Sequence, residues 1–304
     1  MKDQTDKMNL NRRQFLTTAS AGTAALMLPW QLRAQEEAKT TLALIRGGTP
    51  VERLTAALDA LGGLSQFSPK GKQIVVKPNI GWDRTPAQGA NTDPELVGAV
   101  VRALKDAGAD ISVFDFTCNT AQRCYRRSGI EEAAKAAGAK VTHIHEKRFD
   151  EIKIPAGKLL QKWGIYRDYL EADLRINMPI LKHHTLAGIS MGLKNLMGVM
   201  EDSRPSLHNN FDEKLIDITS QILPELTIMD ARRVLRRNGP QGGNVDDVEE
   251  LNCLIAGFDP IAVDGEGARL FGREPSDFGH LVEAENRGLG STSRPQGFRE
   301  INLS

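Results

Sequence analysis

The chain is poor in cysteine. Three thiols, Cys118, Cys124 and Cys253, stand in 304 residues. That number is odd and too low for a disulfide framework, and a chain of this length does not depend on one. No Cys-x-x-Cys pair occurs, which disfavours a protein-bound iron–sulfur cluster. Cys118 and Cys124 lie close enough in sequence to pair in an oxidising compartment, but geometry decides that and spacing does not. An excess of either charge is also missing: 39 basic residues balance 39 acidic ones. Beyond residue 34 the balance is 34 to 37. Nothing in it points to nucleic acid or an anionic membrane surface as a partner. The sequence has no internal repeat, no low-complexity segment and no apolar run of the roughly 20 residues that a membrane span needs.

What is present begins at the N-terminus. Asn11-Arg12-Arg13-Gln14-Phe15-Leu16 sets two arginines before a weakly apolar stretch, Phe15 to Trp30, interrupted by Thr17, Thr18, Ser20 and Thr23. A small-residue junction follows at Leu32-Arg33-Ala34. This order reads as a twin-arginine export leader over residues 1–34 with a linker at 35–40. An amphipathic N-terminal helix is the competing reading. A leader predicts the twin-arginine translocase as a transient partner, a periplasmic or secreted location, and no stable membrane anchor after cleavage. That route carries proteins already folded, which suits a cofactor inserted in the cytoplasm.

Residues 41–304 alternate strand-like and helix-like segments. Thr41–Ile45, Gln73–Val76, Ile111–Asp115, Lys140–Ile144, Leu174–Met178, Leu226–Met229 and Cys253–Ala256 are short apolar runs, the pattern of strands buried on both faces. Between them, Val51–Leu61 carries one apolar helical face. A helix after Thr92-Asp93-Pro94 has a capping residue followed by proline. Further helices are expected over Ile130–Ala137 and Leu215–Leu223, and after Asp259-Pro260. The rhythm predicts an α/β fold, a mainly parallel sheet covered by helices, as one domain or two intimate lobes with the second from about residue 155.

In such sheets ligands bind at the carboxyl ends of strands. Polar residues cluster just there: Lys77-Pro78-Asn79, Asp115 and Thr117, Asn177, Lys182-His183-His184, and Asp230. Each alone also fits a turn. The densest segment is Lys182 to Val199. Gly188 and Gly192 permit close backbone approach, and a helix starting near Ser190 would put Lys194 and Asn195 in its first turns. A lysine there can be a base, an anion clamp or a covalent attachment point, provided its surroundings depress its pKa. Adjacent histidines point in different directions, so at most one of His183 and His184 is expected to face the site. The competing reading is a glycine-containing connector with solvated histidine and lysine. His208, after the polar loop 201–207, fits a metal ligand, a proton carrier or a surface residue. Asp264 falls on an apolar helix face and needs a partner, a backbone N–H or a lysine. Arg237 to Gly243 reads as a flexible loop. His143 and His145 share a face but lack a third ligand, which favours solvated edge residues over a metal pair.

Several of these segments together resemble one family. Val76-Lys77-Pro78-Asn79, Thr92–Leu96, Ala172–Pro179, Lys182-x-His184, Gly192-Leu193-Lys194-Asn195-Leu196-Met197-Gly198 and Asp259–Asp264 are similar to the domain-of-unknown-function family numbered 362. The likeness runs from about Leu42 to Gly290. Some members of that family carry added iron–sulfur segments, whose cysteines this chain lacks. A shorter stretch, His184-x-x-Ala187-Gly188-x-Ser190-x-Gly192-x-Lys194, resembles nickel-dependent lactate racemases. There the histidine exchanges a proton or hydride and the lysine holds a pyridinium pincer cofactor. Met191 stands where that family usually has glycine, and its further histidines have no match here. The resemblance implies a His184/Lys194 pair facing a substrate or cofactor; it does not extend to nickel or racemisation.

Taken together, the residues predict an exported enzyme acting on a small anionic or hydroxylated metabolite, with a metal or organometallic cofactor as an open alternative. His184 and Lys194 are the catalytic candidates. Lys77, Asn79, Lys182, Asn195 and Asp230 are the ligand-binding candidates, and His183 and His208 the metal candidates. The competing functions are a ligand-binding or accessory protein without catalysis, and a metal-handling protein.

Overall fold

The computed structural model describes residues 39–304; the expected leader and most of the expected linker lie outside the described residues. The chain opens with strand β1 (Leu42–Arg46) and helix α1 (Pro50–Ala60), then β2 (Gln73–Pro78) and α2 (Pro94–Asp106). Local chemistry sets these boundaries. Thr49 and Glu52 form a reciprocal capping box at α1. At α2, Asp93 accepts the Glu95 N–H at 2.9 Å and Pro94 occupies the first turn. Strand β3 (Asp110–Val113), helices α3 (Ala121–Arg127) and α4 (Ile130–Ala136) and the short strand β4 (Lys140–Val141) complete this half.

A hairpin of β5 (Phe149–Lys153) and β6 (Lys162–Tyr166) follows, then the single-turn α5 (Arg167–Leu170) and β7 (Leu174–Met178). A second small hairpin, β8 (Lys182–His184) and β9 (Gly188–Ser190), runs into the one-turn helix α6 (Gly192–Asn195). The rest is α7 (Phe211–Thr219), β10 (Leu226–Leu235), β11 (Val248–Gly257), α8 (Pro260–Phe271), α9 (Gly279–Asn286) and β12 (Phe298–Asn302).

Eight strands form one sheet in the order β12-β1-β11-β10-β7-β2-β3-β4. Strands β10, β7, β2, β3 and β4 run parallel, as do β1 and β12; β11 is antiparallel to both its neighbours. The expected mainly parallel sheet covered by helices is the fold. Side chains alternate between its faces. Ala43, Ile45, Ile74, Val76 and Ile176 pack under α1, α2 and α4. Leu42, Leu44, Val75, Met229 and Ile255 pack under α7, α8, α9 and the β5–β6 hairpin.

Three elements differ from expectation for identifiable reasons. Strand β4 stops at Val141, because Thr142 O accepts the Tyr125 hydroxyl and the His143 ring packs on Tyr125 at 4.5 Å. Strand β10 runs on past Asp230 through a bulge between Ala231 and Arg233, since antiparallel β11 continues to pair with it. Helix α7 starts one turn earlier, at Phe211, and ends at Thr219, short of Pro224.

Chain order in the sheet locates the site. From β2 the chain moves to β3 and β4 on one side, then crosses back to place β7 on the other side of β2. Crossover connections therefore diverge at β2 and β7, which opens a crevice beyond their carboxyl ends.

Candidate functional site

That crevice is a cleft of about 560 Å³. Strand β2 delivers Lys77 and, just beyond its end, Asn79; the chain after β3 brings Asp115 to Cys118. The β8–β9 hairpin and α6 close the other side with Lys182, His184, Lys194 and Asn195. Alternation along β8 turns Lys182 and His184 inward and His183 away. His183 instead accepts the Gly239 N–H at 3.1 Å, and Gly239 O accepts both the backbone N–H and the hydroxyl of Thr185. The 237–243 segment is thereby tied to the hairpin, and Pro240 reaches the cleft wall.

A ladder of amides holds the floor. Lys182 Nζ donates to Asn79 Oδ1 at 3.2 Å and to Ala90 O. Asn79 donates to Asn195 Oδ1 at 3.0 Å, Asn195 to Asn177 Oδ1 at 2.9 Å, and Asn177 to Gly192 O at 2.9 Å. Asp264 accepts the Gly192 and Leu193 N–H groups at 2.6 and 2.9 Å. Its partners are the backbone N–H groups that its buried position called for. They anchor α6, and with it Lys194, to α8. Burial raises the Asp264 carboxyl to about 7 despite those two donors.

The cations are not equivalent. Lys77 and Asp115 form a buried ion pair at 2.8 Å, and Asp115 also accepts the Ile80 N–H at 2.6 Å. Lys182 is 1% exposed and its pKa falls to about 7, through burial first and then the positive charges of Lys194 and Lys77. Lys194 falls to about 8, again through burial first, then Arg204 and Lys77. Among the described residues no carboxylate ion-pairs with Lys182 or Lys194. The partners of Lys194 Nζ are soft: Met197 Sδ at 3.5 Å and the Phe211 ring at 5.5 Å.

Two imidazoles complete the wall. His184 Nδ1 accepts the Leu186 and Ala187 N–H groups at 3.1 and 3.2 Å. Those bonds assign its proton to Nε2 and oppose protonation of Nδ1. Burial, then Lys194 and Lys182, hold its pKa far below the ordinary imidazole range. His184 is therefore a neutral N–H donor. His208 stacks on it at 6.1 Å, near parallel, with Nδ1 3.2 Å from Pro205 O. Among the described residues, no three His, Cys, Asp or Glu side chains gather to hold a metal ion. The amines and the committed imidazole do not fit a metal chelated by the protein alone; they fit an anionic group.

Of the residues singled out in the sequence, Lys77, Asn79, Lys182, His184, Lys194, Asn195 and His208 share this cleft. Asp230 does not. It is buried within β10, where it accepts N–H groups from Asp93 and Arg232 beside Arg53, and burial followed by the Asp93 charge raises it to about 6. Its position after an apolar run was a strand interior, not a strand end. Arg204 and Trp82 line the cleft without any motif to mark them. Arg204 donates to Phe116 O and Thr117 O at 2.8 and 2.9 Å and lies over the Phe116 ring, so it braces the wall. Cys118 and Cys124 are unpaired in this structure, Cys118 exposed on the lining and Cys124 buried.

The family profile described as "Domain of unknown function (DUF362)" matches residues 74–269, and the chain belongs to that family. It is 26% identical over 257 residues to the "Thylakoid-associated protein sll1697" of Synechocystis sp. (strain ATCC 27184 / PCC 6803 / Kazusa). That alignment covers 81% of this chain and 77% of the cyanobacterial protein. Among solved structures, the lactate racemase apoprotein from Thermoanaerobacterium thermosaccharolyticum matches with a TM-score of 0.48 at 15% identity. The match covers 76% of this chain and 57% of the racemase chain, so this protein spans little more than half of that length.

Proposed function

We propose that this member of the DUF362 family is an enzyme whose cleft binds a compact organic anion and moves a proton at Lys194. One observation carries the reading. Lys182 and Lys194 face the same cleft without a carboxylate to neutralise them, whereas the charge of Lys77 is met by Asp115. Buried, unneutralised ammonium groups are costly, and an anion that enters relieves that cost. Lys182 would meet the anion, whose charge draws it back to the ammonium form; two of its three N–H groups are committed to Ala90 O and Asn79 Oδ1, and the third is left for the ligand. Lys194, with a pKa of about 8, lies near the range in which proton transfer is efficient at neutral pH. His184, kept neutral, would donate its Nε2 proton to an oxygen on which charge develops, rather than act as a base. A cofactor bearing its own anionic groups would meet the same two lysines.

Separating binding from turnover tests the proposal. Lys182→Met is expected to weaken binding of a small dicarboxylate such as malonate by about 30-fold or more, the equivalent of ~2 kcal/mol for one lost buried charge contact. Lys194→Met is expected to abolish turnover once a substrate is found. Unchanged malonate affinity in both variants by titration calorimetry would reject the anion cleft. Anion binding that never leads to turnover in a metabolite screen would favour a ligand-binding protein. We also propose export to the periplasm or beyond, supported by the order of residues 11–34 alone.

A further inference from the structure

We propose that Lys194 is a site of covalent chemistry, its amine condensing with the carbonyl carbon of a small 2-oxo acid whose carboxylate lies against Lys182. The inference rests on the anion-cleft reading and narrows it to a substrate class.

The lysines of the cleft differ in what their nitrogens are doing. Lys77 is held by Asp115 at 2.8 Å. Lys182 is fixed by two oxygen acceptors. Lys194 meets only a thioether and an aromatic face, neither of which is a strong acceptor. Losing its proton strands no oxygen acceptor, and its lone pair is not tied to a donor. Burial and the nearby cations favour that neutral form, the condition under which a lysine becomes a nucleophile.

The surroundings supply the rest. Lys182 has a third N–H available, and the charge of Lys194 is felt at Lys182. A carboxylate seated against Lys182 restores the ammonium form that burial opposes. A carboxylate held there would direct the adjacent carbonyl carbon toward Lys194. The amine lone pair forms the C–N bond while the carbonyl π pair moves to oxygen, which takes a proton from the Lys182 ammonium. The new nitrogen returns a proton to Lys182. A second proton from Lys182 releases the oxygen as water while the nitrogen lone pair forms the C=N bond, and the protonated imine then returns its remaining hydrogen to Lys182. Overall both amine hydrogens and the carbonyl oxygen leave as one water, and no oxidant or reductant is consumed. The Nε2–H of His184 is a second donor to the carbinolamine oxygen.

The test is reductive trapping on the whole chain. Protein is incubated with pyruvate, glyoxylate or 2-oxobutyrate and sodium cyanoborohydride, then digested for peptide mass spectrometry. One adduct on Lys194 is expected, saturable and far above that on any exposed lysine. It should be suppressed by oxamate, whose amide carbonyl does not condense with amines, and be absent from Lys194→Arg. If oxamate binds by calorimetry yet none of the three acids labels Lys194 above the surface lysines, the covalent step is wrong and the anion cleft stands. If oxamate does not bind and no adduct forms, both readings fall.

Discussion

At the scale of single residues, the lysines make the cleft sensitive to pH. Lys182 and Lys194 have pKa values of about 7 and about 8, below the lysine reference of 10.5. An anion binds the protonated forms, so binding draws protons onto the protein. The sign follows. Affinity for malonate is highest below pH 7 and falls as the pH rises through both values. Above pH 8 the fall is about tenfold per pH unit for each lysine that must be charged. Calorimetry at pH 6, 7.5 and 9 in buffers of different ionisation heat measures both the decline and the proton uptake. A flat profile across that range would show that neither amine contacts the anion.

Much at this scale was legible in the sequence. Lys182 and His184 were both singled out, and alternation in an extended segment limited the adjacent histidines to at most one facing the cleft, without choosing between them. Asp230 was misplaced because a carboxylate buried inside a strand and satisfied by backbone N–H groups looks, in sequence, like a strand terminus. Arg204 left no sequence trace, since bonding backbone carbonyls across 87 residues depends on tertiary approach alone.

At the scale of elements, the turn after α6 is the tightest constraint. Gly198 packs against the Lys77–Asp115 pair, where a Cβ would lie 1.8 Å from Asp115 Oδ1 and 2.6 Å from Lys77 Nζ. Its carbonyl also accepts the Phe116 N–H at 2.9 Å, which locks the two loops together. Gly198→Ala must therefore part the ion pair or displace the loop. Breaking a buried pair costs about 3–5 kcal/mol, and that loss is expected in a denaturant titration. Alanine at Gly62, where a Cβ meets nothing within 4 Å but the backbone φ is +93°, is expected to cost less. A loss at 198 no larger than that at 62 would show that contact with the ion pair does not make glycine necessary at 198.

Sequence marked the long elements and the Asp-Pro caps, because apolar period and Asp-Pro signals are local; the Thr49–Glu52 capping box was not read. It did not mark the β5–β6 hairpin, whose strands are mostly half-buried or exposed. It offered a helix near Ser190, but not that this helix is a single turn, Gly192–Asn195, held by Asp264 from 72 and 71 positions away.

At the scale of the whole molecule, the cleft is assembled from segments near residues 77–82, 115–118, 182–198 and 204–208. No single one of these segments contains it, because the crevice exists only once β7 has paired beside β2. A ligand or cofactor taken up in the cytoplasm can therefore bind only to the folded chain, and the route that preserves it across a membrane is one that carries folded proteins. This joins the fold to the proposed leader. Replacing Arg12 and Arg13 with lysine is expected to leave the full-length chain in the cytoplasmic fraction, folded and of native anion affinity. The unsubstituted chain should appear, shortened near Ala34, outside the inner membrane. A doubly substituted chain that is still exported and shortened would show that the arginine pair does not set the route, and the link between folding before transport and cleft loading would be lost with it.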